Sequence, residues 1–278
     1  MQKHQMLTRR RVLLAGAAAV GAAGTAGVLA VGGGEEAVRP AAPVPGAQAR
    51  PALNSSAYRL QPLTGYGPPR AAPRRTLVRH KPLLRVSGRG RTMVLTFDDG
   101  PDPRYTPAIL DTLAEYDVRA MFFVCGEMVA DHPDLLTRMA DEGHVVGNHT
   151  WSHPLLTRLT RRQIRHQMER TSDVIEDAYG DRPQWFRAPY GAWNRTVFQL
   201  GAELGMEPLA WTVDTLDWRM PGTRTIVNRV EHGAAPGVVV LAHDAGGDRS
   251  QSVRALRTYL PELLDSGYHV TVPRRHYA

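Results

Sequence analysis

Two adjacent carboxylates, Asp98 and Asp99, stand where an apolar run of the sequence meets a turn. The run 93–97 is typical of a buried strand, and Gly100 and Pro101 then break it. Successive strand residues face opposite sides, so the two acids can hold different roles a short distance apart. Such a pair is costly unless a cation or a hydrogen-bond donor compensates it. A solvated turn is the alternative interpretation, because Asp is common in turns.

A pair of histidines, His149 and His153, follows a later apolar run that ends at Val146. Pro154 disfavours helical geometry at His153, so we predict that the pair lies on a tight turn after a strand. Two histidines and a carboxylate form a common ligand set for a divalent metal. The same donors also form the facial triad of non-haem iron oxygenases, which keeps that class of enzyme as an alternative.

Polar side chains follow three further apolar runs. Arg187 comes directly after 185–186, and a cation there would keep a nearby carboxylate ionised. The run 207–212 is followed by Asp214 and Asp217, with Trp218 beside them, and the run 238–241 is followed by His243. These residues become candidates for a site if their strands end at one edge of a sheet.

The elements that must position these residues alternate between strands and helices. Strand signals recur seven times, at 93–97, 120–124, 144–146, 185–186, 207–212, 238–241 and 269–272. Helical patterns separate them, at 106–116, 133–142, 160–179, 196–204, 223–231 and 250–264. This alternation predicts an α/β fold with a parallel sheet, either a barrel or a doubly wound sheet. The span 92–278 is short for an eight-fold barrel of about 250 residues, so a distorted (β/α)7-type barrel fits better. In either architecture the site lies at the carboxyl ends of the strands.

The net charge of +7 is unevenly distributed along the chain. Residues 1–91 carry 15 basic and two acidic residues, so residues 92–278 have a net charge of −6. We therefore predict no binding to nucleic acid. The lone cysteine, Cys125, excludes a disulfide within the chain.

The segments before residue 92 are predicted to target and tether the protein. Residues 1–31 combine the twin arginine Arg9-Arg10 with an apolar stretch and resemble a Tat export signal. An uncleaved membrane anchor is the alternative, since the 20 apolar residues 12–31 could span a bilayer. Residues 32–91 are rich in Pro, Ala and Arg and are predicted to form a disordered linker, with packing of the stretch near Leu77-Val78 and Leu83-Leu84 on the domain edge as an alternative for that part. Both interpretations place residues 32–278, with the single predicted domain 92–278, outside the cytoplasm, secreted or associated with the cell envelope.

Five motifs in chain order resemble those of the polysaccharide deacetylase (NodB-homology) family, which is carbohydrate esterase family four. The motifs are Thr96-Phe97-Asp98-Asp99-Gly100, His149-Thr150-Trp151-Ser152-His153, Arg187-Ala188-Pro189-Tyr190, Asp214-Thr215-Leu216-Asp217-Trp218 and Leu241-Ala242-His243. The resemblance covers nearly all of 92–278. It implies a distorted (β/α) barrel, a divalent metal that is usually zinc, with Co²⁺ or Ni²⁺ as alternatives, and hydrolysis of N-acetyl groups on amino sugars.

The resemblance also implies a role for each matching residue. Asp99, His149 and His153 correspond to the metal ligands, Asp98 to the general base, and Arg187 to the residue that orients this base.

The other matching positions imply the remaining roles. The backbone N–H of Tyr190 corresponds to the donor to the oxyanion, His243 to the general acid, and Asp217 to the carboxylate that holds the acid charged. Trp218 and Leu241 correspond to the pocket walls that fit the acetyl methyl, so that these two residues and Tyr190 contact substrate.

The expected function is that of an exported, metal-dependent hydrolase that removes N-acetyl groups from a β-1,4-linked glycan. Peptidoglycan is the leading substrate, because the chain is expected to reach the cell envelope. N-deacetylation of chitin oligosaccharides and O-deacetylation of acetyl-xylan are alternatives, and a non-catalytic glycan-binding module is a third. We expect a monomer that contacts the membrane only through its N-terminal segment.

Overall fold

The computed structural model describes residues 76–87 and 90–273, which fall within the unit Gly65–Ala278. The predicted export signal and most of the predicted linker lie outside the described residues. Within the described ranges, no helix combines the length and the apolar character needed to cross a membrane.

Eight short strands and seven helices make up the described chain. The strands are β1 (Thr92–Asp98), β2 (Met121–Val124), β3 (Val145–Asn148), β4 (Trp185–Phe186), β5 (Glu207–Pro208), β6 (Val213–Asp214), β7 (Val239–His243) and β8 (His269–Val270). The helices are α1 (Thr106–Glu115), α2 (Gly126–Asp131), α3 (Pro133–Asp141), α4 (Arg161–Tyr179), α5 (Arg195–Glu203), α6 (Thr223–Gly233) and α7 (Ser250–Asp265). The sequence predicted all of these helices except α2.

The strands pair in parallel in the order β5-β4-β3-β2-β1-β7-β6, and β8 pairs with the start of β1. The predicted strand 207–212 is divided. Its first residues pair with β4, through Glu207 and Trp185, and the chain then moves to the other end of the sheet, where Val213 pairs with Val240 of β7. β5 and β6, which follow one another in the chain, thus lie at opposite ends of the strand order of a curled parallel sheet, and the predicted distorted (β/α)7-type barrel is confirmed.

Strand β1 shows how both faces of the sheet are buried. Its residues Met93, Leu95 and Phe97 pack in the apolar layer shared with the surrounding helices. Val94 instead belongs to a smaller cluster with Met121, Phe123 and Val239. Because strand side chains alternate, Thr96 and Asp98 share the side of Val94. Asp98 therefore ends β1 on the interior side of the barrel.

Residues 76–87, here called the basal segment, depart from the predicted linker. Leu83 forms a parallel bridge with Leu209, and Arg85 forms an antiparallel bridge with Val238. Leu83 also packs against the interior cluster of the barrel. Composition alone assigned this stretch to a spacer, whereas the alternative of packing on the domain edge is what Leu83 shows, beside β5 and the amino end of β7.

Candidate active site

The predicted site residues collect at the carboxyl ends of the parallel strands. Asp98 ends β1, and its partner in register on β7 is His243. Asn148 ends β3 and precedes His149, and Phe186 ends β4 and precedes Arg187. Asp214 ends β6. The parallel topology thus brings to one rim residues that lie up to 145 positions apart in the chain.

Asp98 and Arg187 form a buried ion pair. Arg187 Nη1 donates to Asp98 Oδ1 at 2.6 Å, and neither side chain is more than 3% exposed. Burial raises the pKa of the Asp98 carboxyl, and the positive charges of Arg187 and His243 oppose this rise. The second oxygen of Asp98 stays near the histidines, 3.7 Å from His149 Nε2. Asp98 therefore has one oxygen committed to Arg187 and one available to a substrate or water.

The remaining donors of Arg187 are also satisfied. Nη1 donates to Thr96 Oγ1 at 2.7 Å, Nε to the carbonyl of Leu209 at 3.1 Å, and Nη2 to the carbonyl of Ala210 at 2.9 Å. The carbonyls of Leu209 and Ala210 follow the end of β5, where the chain runs toward β6. The guanidinium therefore binds the backbone between β5 and β6 while it orients Asp98 of β1.

Asp99, His149 and His153 form the candidate metal centre. Asp99 Oδ1 lies 3.5 Å from His149 Nε2 and 3.4 Å from His153 Nε2. One ligand atom of each residue lies within 4.8 Å of the other two. Within the described part of the chain, no second group of three Asp, Glu, Cys or His side chains meets this distance. The predicted turn is present, since Thr150 and His153 adopt positive φ values of 73° and 55°.

The donor chemistry of this centre fits a cation. His149 Nδ1 donates to the carbonyl of Arg187 at 2.8 Å, so Nε2 presents its lone pair to Asp99. Burial lowers the pKa of His149 to about 3, which keeps this ring neutral. Asp99 Oδ1 is buried without a hydrogen-bond donor among the described residues. The carboxylate oxygen of Asp99 and the lone pair of His149 Nε2 face one another with no hydrogen between them, which is unfavourable unless a cation binds both.

His243 and Asp217 form a second buried pair. Asp217 Oδ1 accepts from His243 Nδ1 at 2.7 Å, and Asp217 Oδ2 accepts from the backbone N–H of His243 at 2.9 Å and from Ser252 Oγ at 2.6 Å. Burial alone would lower the pKa of His243, but the Asp217 hydrogen bond and the charges of Asp217, Asp98 and Asp99 raise it to about 9. His243 is therefore protonated at neutral pH and can act as an acid.

A cleft of about 680 Å³ opens over these groups. Tyr190, Trp211, Trp218 and Leu241 line it together with the catalytic candidates. Tyr190 sits in a turn with φ of 60°, and its ring meets the edge of His153 at 4.5 Å between centroids. Tyr190 and Trp218 are 67% and 46% exposed, so both rings are available to a ligand.

Supporting residues that the sequence analysis did not single out surround the site. Asp244 Oδ1 accepts from the backbone N–H of Gly100, and Asp244 Oδ2 accepts from Thr106 Oγ1 at 2.5 Å. This carboxylate ties the turn after Asp99 to β7, and burial raises its pKa to about 7. Ser252 supports Asp217 in a similar way. The signal in the sequence is weak: Asp244 directly follows the strand-end residue His243.

Comparisons with known proteins agree with this geometry. A family model described as polysaccharide deacetylase matches residues 85–209. A chitooligosaccharide deacetylase from Rhizobium leguminosarum bv. trifolii is 39% identical over 206 residues, which are 70% of this chain and 96% of the relative. A peptidoglycan-N-acetylglucosamine deacetylase from Bacillus cereus is 39% identical over 183 residues, which are 65% of this chain and 66% of the relative.

A solved structure shows that the likeness extends to three dimensions. It is the crystal structure of a peptidoglycan N-acetylglucosamine deacetylase in complex with 4-naphthalen-1-yl-N-oxidanyl-benzamide. It superposes with a TM-score of 0.66 at 37% identity, covering 69% of this chain and 90% of that one. Sequence likeness, shared fold and an ordered set of acids and histidines at the strand ends together establish that this chain belongs to the polysaccharide deacetylase family, carbohydrate esterase family four, and is a hydrolase of that family.

Proposed function

We propose that this protein is an exported, divalent-metal-dependent N-deacetylase that acts on the amino sugars of peptidoglycan. The observation that carries the chemistry is the presence of a separate buried base and buried acid at one cleft. Asp98 is oriented by Arg187 at 2.6 Å, and His243 is held charged by Asp217 at 2.7 Å. An amide nitrogen leaves poorly unless it is protonated, so an amide hydrolase needs both groups.

The base side of the reaction belongs to Asp98. Its free oxygen accepts a proton from the attacking water, while the charge of Arg187 favours the ionised carboxylate against burial and fixes its direction. The acid side belongs to His243, whose Nδ1 is engaged by Asp217 so that Nε2 is the nitrogen left to donate a proton to the departing amine. The two groups end neighbouring strands, which suits proton transfers on either side of one scissile bond.

Substrate contacts complete this proposal. Trp218 and Leu241 are walls of the cleft that suit a methyl group, and the backbone N–H of Tyr190 is the proposed donor to the developing oxyanion. The exposed rings of Tyr190 and Trp218 are also surfaces on which a sugar ring can stack.

Asp99, His149 and His153 are the proposed ligands of the divalent ion, with Zn²⁺ favoured over Co²⁺ or Ni²⁺. A bound ion would polarise the acetyl carbonyl and lower the pKa of water at the site. The chain's own contribution is to present one carboxylate oxygen and two imidazole nitrogens from buried or half-buried positions. We expect His149→Ala to lose the ion, as measured by metal content of the purified protein.

Peptidoglycan is proposed over chitin oligosaccharides and acetyl-xylan because residues 1–31 resemble a Tat export signal, and export would place the enzyme at the cell envelope. Relatives of both the peptidoglycan and the chitooligosaccharide type support an N-acetylated β-1,4 glycan. Family membership leaves no support for the iron-oxygenase alternative. The presence of Asp98 beside Arg187 and of all three candidate metal ligands argues against a purely binding module, which would be favoured by loss of one of them. Export itself is tested by replacing Arg9 and Arg10 with Lys, which should hold the protein in the cytoplasm.

The deciding experiment compares acetate release from peptidoglycan, chitin oligomers and acetyl-xylan, before and after treatment with a chelator. We expect fastest release from peptidoglycan, loss of activity after chelation, and recovery on adding Zn²⁺. Faster release from chitin oligomers would transfer the assignment to the first alternative. Full activity in a protein shown to be metal-free would contradict the metal proposal.

A further inference from the structure

The basal segment is held firmly against the barrel. Thr76 donates its backbone N–H to the carbonyl of Ala202 at 3.0 Å, Leu83 to Pro208 at 2.8 Å, and Val86 to Gly237 at 3.0 Å. Gly237 precedes β7, Ala202 lies in the last turn of the helix that leads into β5, and Pro208 is the second residue of β5. The two ends of the segment therefore lie by the amino ends of β5 and β7, Leu83 between them pairs with Leu209, which follows β5, and none of its residues lines the catalytic cleft.

Three large apolar side chains of this segment face solvent although its backbone is hydrogen-bonded to the barrel. Leu77 is 77% exposed, Leu84 is 51% exposed and Val78 is 41% exposed. Within the described ranges, the other large exposed apolar side chains belong to the turns around the cleft: Tyr190, Trp218 and Met220. Tyr190 and Trp218 line the cleft and Met220 follows close behind Trp218 in the chain, whereas nothing in the described barrel covers Leu77, Val78 or Leu84.

The charge around these apolar side chains is positive. Lys81 and Arg85 are exposed, and among the described residues neither faces a carboxylate, since Arg85 donates to the carbonyl of Pro236. Arg79 is already neutralised by Glu207 at 2.5 Å. In the sequence, residues 37–97 hold 11 basic residues and no acidic residue, whereas the catalytic domain is acidic. The basal segment is thus the cationic and apolar end of a domain that is otherwise negative.

We propose that the basal segment docks on an anionic membrane surface, with Leu77, Val78 and Leu84 in the headgroup–acyl boundary and Lys81 and Arg85 beside anionic headgroups. Aliphatic side chains flanked by cations fit this partner. A glycan strand would instead call for aromatic stacking, and residues 76–87 contain no Phe, Tyr or Trp. Docking on this face directs the cleft away from the bilayer. The proposal rests on the proposed export, because only then does this face meet the outer surface of the membrane.

The experiment uses the full chain and a polarity-sensitive fluorophore. Cys125 is the only cysteine and is buried, so Leu84→Cys can be labelled selectively. We expect the emission at position 84 to shift to the blue with vesicles of phosphatidylcholine and phosphatidylglycerol at about 70:30, and to stay unchanged with phosphatidylcholine alone. Met220→Cys, at the catalytic end, is the matched label position and should not shift with either vesicle.

Charge variants separate docking from unspecific attraction. Lys81→Gln should weaken the apparent vesicle affinity of the Leu84-labelled protein about fivefold, the usual effect of one cation near an anionic membrane. Arg224→Gln removes an exposed cation from the start of α6, at the other end of the barrel, and should leave that affinity unchanged.

Several results would overturn docking by this segment. They are the absence of an emission shift at position 84, an equal shift at position 220, and equal losses of vesicle affinity in the two charge variants. A shift at position 84 that appears without vesicles as protein concentration rises would also overturn it, because it would indicate a second copy of the chain as the partner. Acetate release from a soluble chitin oligomer, measured on the same samples, reports on the proposed deacetylase activity separately.

Discussion

At the scale of single residues, the two neighbouring acids Asp98 and Asp99 owe their different roles to backbone geometry. Asp98 is the last residue of β1 and points to the barrel interior, where Arg187 holds it. Asp99 has left the strand with φ of 76°, and its carboxylate lies beside His149 and His153. One step along the chain therefore separates the proposed proton acceptor from the proposed metal ligand.

The assignment of Asp98 as the base leads to a first prediction. Asp98→Asn keeps the shape of the side chain and removes its ability to accept a proton, so acetate release should fall by about 10²–10⁴-fold. Metal content should remain that of the wild type, because this substitution leaves Asp99 and both histidines in place. A variant with near-normal activity would remove Asp98 from the mechanism.

A second prediction concerns the acid. His243→Ala should impair hydrolysis of N-acetyl substrates much more than hydrolysis of activated acetate esters, whose leaving groups need less protonation. Parallel assays on a chitin oligomer and on a nitrophenyl acetate give the ratio of the two losses in activity. Equal losses on both substrates would mean that His243 serves binding or structure instead.

The pH profile provides a third prediction at this scale. The pKa of His243 is raised to about 9, so the acid form persists through neutral pH and the rate should fall as pH rises through about 9. Asp217→Asn removes the negative charge that raises this pKa and should move that alkaline limb toward lower pH. The check is the pH dependence of kcat/KM for both proteins; an unshifted limb would assign it to another group.

The same pair links pH to folding. Because the pKa of His243 in the folded protein exceeds its usual value of 6.5, the interaction stabilises the fold fully below about pH 6.5. That contribution is lost as pH rises through about 9.

At the scale of elements, Arg187 joins strands that their own hydrogen bonds leave apart. It extends from β4 and donates to Asp98 of β1 and to the carbonyls of Leu209 and Ala210. These two carbonyls lie between β5, which pairs with β4, and β6, which pairs with β7. The guanidinium thus supplies hydrogen-bond donors just after the pairing of β4 with β5 ends. The residue proposed to orient the base therefore also links β1 and β4 with the backbone that follows β5.

Arg187→Ala should therefore cost stability as well as activity. It leaves a buried carboxylate without its partner, which typically destabilises a protein by about 3–5 kcal/mol. Arg182→Ala, which breaks half-exposed pairs with Asp173 and Glu176, should cost about 1 kcal/mol or less. Urea unfolding measures both.

A double variant keeps this prediction testable if Arg187→Ala folds poorly. Adding Asp98→Asn removes the unpaired charge and should restore part of the lost stability. Equal costs for the Arg187 and Arg182 variants would show that the buried pair contributes no more than a surface pair.

At the scale of the whole molecule, the barrel has two chemically different ends. The carboxyl ends of the strands carry the acids and histidines, and the amino ends are crossed by the cationic basal segment. The barrel is also incomplete without this segment, since Leu83 packs inside it beside Leu209.

The final prediction is that the folded domain begins near residue 76 and not at residue 92. A variant that starts at residue 76 should melt at the temperature of the full chain. One that starts at residue 88 loses the packing of Leu83 and Val86 and should melt about 5–10 °C lower, as expected for about two to three kcal/mol in a domain of this size. Calorimetry of the two variants decides, and identical melting temperatures would confine the basal segment to a surface role.

Much of this molecule could be predicted from local patterns. The apolar run 93–97 and the turn at Gly100 placed Asp98 and Asp99 at a strand end, and Pro154 excluded a helix at His153. Helix α4 was bounded correctly because Thr160 forms a capping box and Gly180 adopts φ of 96°. Helix α2 was missed, since a helix of six residues has too few turns to show a period.

The sequence by itself determined the alternating elements and the five motifs, because a strand period, a cap or a breaker depends on residues close together in the chain. Only the tertiary structure decided the division of 207–212 between two strands, the support of the site by Thr96, Asp244 and Ser252, and the place of the basal segment. These features depend on hydrogen bonds between residues far apart in the chain, such as Gly100 with Asp244 at a separation of 144 positions, or Ser252 with Asp217 at 35. Such contacts become close only when parallel strands align, and no local pattern records them.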